Sequence, residues 1–432
     1  MNKNHTSKFI PHLPLSRGST HILMSYHERL LIIKSNILLH FDKCNAMLLL
    51  NIRENPFMTD KISQNQIGYR VKAAREAKKW KQTQLADALG LKDRQSISAI
   101  ENGDRALKPD ELIALSDALE RDIEFFLDPF SVAGEAKFSW RTAPELSEQT
   151  LDNFEEKANK LIGLLRWLRI SEKGCVEPLK DSLRLNSQST YETARSRAEG
   201  LVEKLNLGII PSNHLIEKIE QDLDIPILFV DTIQDSKGNT ISGATCHLND
   251  LGVILINRNE PETRRFYDLA HELFHALTWD AMEPDHRESN SYEARLQDKP
   301  KRIEQLANEF AAALLMPTKS LEHFIEKNKI NDVKHLAEIA LKLRVSTEAL
   351  AYRLLNLAWI DNDTMLILKK ERQGNQSSEI PKHFSPNFVK MLYRAIDRGK
   401  LSARKAAKSV NMNLTEFGEL FTEYSLAVPF EL

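Results

Sequence analysis

From Gln66 apolar positions recur with a helical period. Ile67, Val71 and Ala74 share one face, and Arg70, Lys72, Arg75, Lys78 and Lys79 cover much of the remainder. Thr83 is expected to cap a short helix from Gln84 to Leu89, which Gly90 ends in the left-handed conformation of a C-cap. Asp93 opens a second short helix through Glu101, stopped by Asn102-Gly103. Two short helices around a tight Gly-containing turn predict a helix-turn-helix. After Pro129 the segment SVAGEAKFSWRTAPELSEQ has no clear period and reads as a linker. LDNFEEKANKLIGLLRWLRI and YETARSRAEGLVEKLNLG follow as amphipathic helices, with Trp167 and its leucine neighbours in the core.

Near Ile225 the period changes. PILFVD, SGATCHL and GVILIN are short, β-branched and bounded by Asp, Gly and Asn, so they predict strands of one small sheet, with a hairpin turn at Lys237-Gly238-Asn239. Pro261 and Glu262 start the next helix, and KRIEQLANEFAAALLMP, Lys301 to Pro317, supplies another. Beyond Pro317, HLAEIALKLRVSTEALAYRLLNL and ARKAAKSVNMNLTEFGELFTEY each read as two short helices around a turn, with the polar linker ERQGNQSSEIPKHFSP between them. Both pairs are expected to be packing modules or dimer contacts. The whole is mainly α with a small β-sheet, an α+β class. Its parts are a leader at 1–60, a five-helix head at 61–130, a helical linker region at 131–211, a sheet-and-helix domain at 212–320 and a C-terminal helical region at 321–432.

Composition narrows the class of function. A chain of 432 residues with 28% charged residues and a formal charge of -2 is neither a globally basic nucleic-acid coat nor an acidic disordered chain. Three scattered cysteines, Cys44, Cys175 and Cys246, make no disulfide framework and suit a reducing cytoplasm. The apolar stretch LLIIKSNILLHFDKCNAMLLL is broken by Lys34, Asp42 and Lys43, too interrupted for a membrane span and too late for a signal peptide. Residues 1–57 show no period, and MTDKISQNQIGYR from Met58 reads as a natural start, so the leader is expected to be an over-extended gene start or a disordered extension.

Charge within the head is uneven: residues 66–108 hold ten Lys/Arg against five Asp/Glu, and 109–127 are net acidic. A basic face beside the second helix of the motif is what phosphate attraction needs. The run from Gln66 to Leu127, with QSISAIENG inside it, resembles the lambda-repressor-like, Cro/repressor (XRE-type) family of DNA-binding domains. In that docking mode the first residues of the second helix reach base edges, here Arg94, Gln95, Ser96 and Ser98. Gln95 suits a bidentate bond to adenine and Arg94 one to guanine. The resemblance further implies that Gln84 buttresses Gln95 and touches a phosphate, and that Asn102 contacts the DNA backbone.

RRFYDLAHELFHALTWD, Arg264 to Asp280, places His271 and His275 four residues apart with Glu272 beside the first. At about 100° per residue, Phe266, Leu269, Ala270, Leu273, Ala276 and Leu277 cluster on one side and the histidines fall opposite them. Two histidines one turn apart can share a zinc ion, and an adjacent glutamate is placed to take a proton from its water. Such a site needs one more protein ligand. In the downstream helix Ile303, Ala307, Phe310 and Leu314 form the apolar centre, and Glu304 and Asn308 line its edge. Glu309 falls on the far side and is expected to be solvated. Glu304 is therefore the better ligand, and Asn308 is placed to accept a histidine ring N–H. Tyr267, His286, Arg265 and Tyr292 are the candidates for an oxyanion stabiliser.

HELFHAL followed by IEQLANEFAAALLMP resembles the ImmA/IrrE family of zinc metallopeptidases over about 110 residues, 212–320. The third ligand in that family is the Glu of the second helix, which here is Glu304. Phe274 stands where many relatives have Gly, which puts substrate preference in question. Together the two resemblances imply a cytoplasmic, nucleoid-associated transcriptional regulator of bacterial or phage origin. It would bind a double-stranded DNA operator as a homodimer and carry a Zn2+ peptidase that cleaves itself, within 128–145, or a partner repressor. The alternative is a non-catalytic repressor or antitoxin that uses the zincin fold to sense or hold a partner such as a co-encoded toxin.

Overall fold

The computed structural model describes residues 63–143, 145–173, 183–231, 238, 240–289, 302–371 and 379–431. The leader, Cys44, Cys175, Tyr292, and Lys237 and Asn239 of the expected turn lie outside them.

Five helices make the head: α1 (Gln64–Ala77), α2 (Gln82–Ala88), α3 (Arg94–Glu101), α4 (Pro109–Leu119) and α5 (Ile123–Leu127). Ser63 and Gln66 cap α1 reciprocally, each side chain accepting the other's backbone N–H. Thr83 is not the cap of α2. The helix starts at Gln82, and Gln84 Oε1 accepts the Lys81 N–H at 2.8 Å, so Thr83 sits inside the first turn. Gly90 and Gly103 take positive φ of 65° and 76°, and Asp93 Oδ1 accepts the Ser96 N–H at 3.0 Å to open α3. Ile67, Val71, Ala74, Leu85, Ile97, Ile100, Leu115 and Phe126 form the core. Helices α1 and α3 cross at Gly68, where a Cβ would lie 2.5 Å from the carbonyl oxygens of Ile100 and Glu101.

The segment read as a linker contains a strand, β1 (Lys137–Thr142). It is followed by α6 (Glu148–Lys173), α7 (Tyr191–Lys204), α8 (Leu215–Asp222), β2 (Ile227–Val230), β3 (Ile241–Leu248) and β4 (Leu251–Asn257). Then come α9 (Glu262–Thr278), β5 (Arg287–Ser289), α10 (Arg302–Leu315) and α11 (Thr318–Phe324). The five strands form one mixed sheet in the order β2-β4-β3-β1-β5. β1 runs antiparallel to β3, with Lys137 opposite His247 and Trp140 opposite Ala244, and parallel to β5. β2 is parallel to β4, so β2 and β3 do not form the hairpin expected around Gly238. The hairpin is β3–β4, closed between Leu248 and Leu251.

Both faces of the sheet are covered, which is why β2 and β4 read as unbroken apolar runs rather than alternating ones. Ile227, Phe229, Ile254 and Ile256 face one core, shared with α7, α9, α10 and the helix pair α12 (Val333–Leu343) and α13 (Thr347–Asn356). Leu228, Val253, Leu255, Trp140 and Phe138 face a second core, with Trp167 and the leucines of α6. After α14 (Asn362–Lys370), the chain adds α15 (Pro386–Asp397), α16 (Ala403–Ser409) and α17 (Leu414–Glu423) to that second core. Both C-terminal helix pairs therefore pack within the body. At Gly163 a Cβ would run into the Phe130 carbonyl oxygen, so α6 lies directly on the backbone that leaves the head.

Candidate metal centre and nucleic-acid interface

Helix α9 begins after Pro261, whose ring holds φ at -54° and whose missing N–H no helical bond needs there, and it is buried on nearly every side. The face opposite its apolar cluster is thus not a wet surface but a second contact. His271 and His275 have no exposure, and Glu272 has 1%. Helix α10 packs across them, and Phe274 lies with its ring 5.6 Å from both the His275 and Phe310 rings.

Three side chains converge between α9 and α10. His275 Nε2 lies 3.1 Å from His271 Nε2, and Glu304 places Oε2 3.3 Å from His271 Nε2 and Oε1 3.6 Å from His275 Nε2. Donor atoms on a tetrahedral ion with bonds of 2.0–2.1 Å stand about 3.3 Å apart, so this spacing fits a zinc-sized cation. The hydrogen bonding agrees. Asn308 Oδ1 is 3.2 Å from His271 Nδ1 and can only accept, so the ring proton sits on Nδ1 and the Nε2 lone pair faces Glu304. A lone pair on a buried imidazole and a carboxylate oxygen facing each other between packed helices repel unless a cation or a proton lies between them. Among the described residues His271, His275 and Glu304 are the one group of His, Cys, Asp or Glu set up in this way.

Glu272 points to the sheet. Thr245 Oγ1, on β3, lies 2.8 Å from its Oε2 and 2.9 Å from its backbone oxygen. Asp268, one turn before His271, pairs with Arg141 of β1 at 3.2 Å, both nearly fully buried. Glu309 is not solvated as expected. Arg195 of α7 bonds its Oε2 at 2.7 Å and Asn356 its Oε1 at 2.9 Å, so the far side of α10 faces protein.

The oxyanion candidates within the described residues have structural partners. Tyr267 bonds the backbone and side chain of Asn308. Arg265 donates to the carbonyls of Arg258, Glu260 and Glu379. His286 bonds Glu155 Oε2 at 2.8 Å, which also accepts Trp140 Nε1–H, and that bond raises the imidazole pKa.

On the head, Arg94, Gln95 and Asn102 are exposed, and Ser96 and Ser98 are half-buried. Arg94, Gln95, Ser98 and Asn102, with Ala99 and Asp104, line an open depression of about 250 Å3. Ser96 is engaged in the α3 cap through Asp93, and Gln84 Oε1 in that of α2. Two members of the expected basic face are not on it. Arg75 is buried in a two-pronged pair with Glu101 at 2.6 and 3.1 Å. Arg70 is fully buried, donates to the Phe126 and Ser131 carbonyls, and burial pulls its pKa down to about 10. Lys78 bonds the Ala118 carbonyl and Glu120. Lys72, Lys79, Lys81, Lys92 and Arg94 remain exposed to meet phosphates.

A fold of this order, a helix-turn-helix head before a sheet backed by an HExxH helix, defines a DNA-binding regulator that carries a metallopeptidase-like domain. The helix-turn-helix family model matches residues 71–126, and the model of the IrrE N-terminal-like domain matches residues 221–355, which ends within α13. The chain carries an XRE-type helix-turn-helix followed by an ImmA/IrrE-type peptidase domain, of a family that is typically metal-dependent. No curated protein is significantly similar to the chain. Solved structures similar to it include the apo form of the competence regulator ComR from Streptococcus vestibularis, at 13% identity over 84% of this chain and 96% of that one. The apo form of ComR from S. thermophilus matches at 14% identity over 84% and 97%. The TM-score is 0.15 in both cases.

Proposed function

We propose that the protein is an operator-binding regulator whose peptidase domain, loaded with zinc by His271, His275 and Glu304, hydrolyses a peptide bond in a partner protein. The observation that carries this reading is the convergence of two imidazole nitrogens and a carboxylate at separations of 3.1 to 3.6 Å. A zinc ion held there supplies Lewis acidity, polarising a carbonyl and making water acidic near neutral pH. The chain's own residues do the rest. Asn308 fixes the His271 tautomer, and the Glu272 carboxylate takes the proton of the attacking water and passes it to the leaving amine.

A partner is favoured over the chain itself. Strand β1 takes up residues 137–142 of the segment 128–145, paired with β3 along its length and with β5 at Trp140 to Thr142, with Phe138 to Thr142 buried. A peptidase needs accessible, extended backbone, and reaching this one would mean opening the sheet. At the head, Arg94 and Gln95 read base edges from the open face of α3, and a homodimer would match a two-fold operator.

The test is Glu272→Gln, assayed with zinc against the product of the neighbouring gene. The variant is expected to keep stoichiometric zinc and to lose cleavage by roughly 10²- to 10⁴-fold. A zinc-replete variant that cuts at the wild-type rate would overturn the assignment. The closure of the site, with both histidines at no exposure, favours a second reading in which the domain holds a partner without cutting it. In that case the same mixture gives a stable complex and intact partner.

A further inference from the structure

The reading above leaves open how a glutamate on a buried helix is held in one orientation. Glutamate has three rotatable side-chain bonds, and a base must be aimed to work. Strand β3 provides a slot for it. Gly243 and Thr245 are two apart, so they face the same side of the strand, which here is α9. A Cβ at Gly243 would stand 3.6 Å from Glu272 Cγ and 3.0 Å from the Leu255 carbonyl oxygen, so the position is already filled to contact without a side chain. Thr245, with no exposure, places its hydroxyl 2.8 Å from Oε2 of the carboxylate and 2.9 Å from the Glu272 backbone oxygen.

We infer that Thr245 is a positioning residue for Glu272. Its hydroxyl, shared between Oε2 and the Glu272 backbone oxygen, ties the carboxylate to the sheet and limits the orientations from which it accepts a proton. The inference rests on the proposed zinc peptidase, and it adds a residue that sets how well Glu272 acts rather than whether the metal binds. Thr245 is fully buried and carries a methyl beside its hydroxyl, so the two have to be tested apart.

The experiment titrates zinc and then acetohydroxamate into full-length wild type and the Thr245→Val, Thr245→Ala, Thr245→Ser and Glu272→Gln variants, by calorimetry. Acetohydroxamate is a zinc-binding probe whose hydroxyl would need a hydrogen-bond acceptor beside the metal, and in the proposed site that acceptor would be the Glu272 carboxylate, so its affinity would read the placement of that carboxylate without a substrate. Thr245→Val and Thr245→Ala are expected to bind zinc as the wild type does. They should hold acetohydroxamate about tenfold to a hundredfold more weakly, the range of one hydrogen bond to a charged group. Thr245→Ser should restore it. If Thr245→Val does not fold, the serine and alanine pair, which differ only in the hydroxyl, decides. Alanine binding acetohydroxamate as tightly as serine does would overturn the positioning role and leave the zinc reading standing. Wild type that takes up no zinc would remove both.

Discussion

Two glutamates one turn and a half apart on α10 have opposite roles, and single substitutions separate them. Glu304→Gln withdraws a carboxylate from between two buried imidazoles and is expected to lose stoichiometric zinc, read by elemental analysis of the purified protein. Glu309→Gln leaves the site intact and is expected to keep its zinc. It weakens the ties to Arg195 and Asn356, at about 1 kcal/mol in denaturant unfolding. Equal zinc content in both variants would refute the difference. Helical spacing was enough to put Glu304 on the stripe beside the histidines. It could not show that Glu309 meets an arginine 114 positions earlier in the chain, because a period describes one helix and not its neighbour. The same gap explains Arg75. Counting charge made it part of a phosphate-attracting face, yet its partner Glu101 lies on another helix and takes it into the core.

At the scale of elements, β5 is short and is tied to α6 through His286 and Glu155. Hydrogen bonding to Glu155 raises the pKa of this imidazole above its ordinary 6.5. A histidine whose folded pKa is raised contributes stability that is fully present below about 6.5 and lost as pH climbs through the raised value. Amide exchange of residues 286–289, corrected for the intrinsic pH effect, is therefore expected to be faster at pH 8.5 than at pH 6. His286→Gln should abolish that difference. A pH-independent protection in the wild type would count against the tie.

The strands also show where a pattern stops being legible. β2 and β4 are apolar runs and β3 is a short stretch bounded by turn residues, so all three are legible, whereas β1, KFSWRT, is not. Its Phe138 and Trp140 serve one core, but Ser139 and Arg141 turn to the other face, where Arg141 meets Asp268 of the histidine helix. A buried strand with a charged residue on its inner face has the composition of a connector. The helix-turn-helix was readable because its signals are local, a capping Asp93 and two glycines at positive φ.

At the scale of the molecule the head has its own core, and the sheet separates two more in the body. Metal binding stabilises only the unit that holds it. With free zinc at a hundred times its dissociation constant the gain is about 2.7 kcal/mol, which for a domain of this size is on the order of 5 °C or more. Calorimetry of the full chain is expected to show chelation lowering the body transition and leaving that of the head in place. A head transition that moved equally would mean that the two unfold as one. Lys408 with Glu124, and Lys405 with Asp128, join α16 to the head through pairs whose lysines are exposed, which add little to cooperativity.

The pairing of Lys137 with His247 sets an order of events during synthesis. The head's five helices emerge first and make their contacts locally, so they can close while the ribosome is still at work. The strand that follows has to wait, since both of its neighbours, β3 and β5, are encoded more than a hundred residues later. A nascent chain would thus own a competent DNA-reading module well before it owns a peptidase, and it would acquire the second only by drawing the stalk of the first into its sheet.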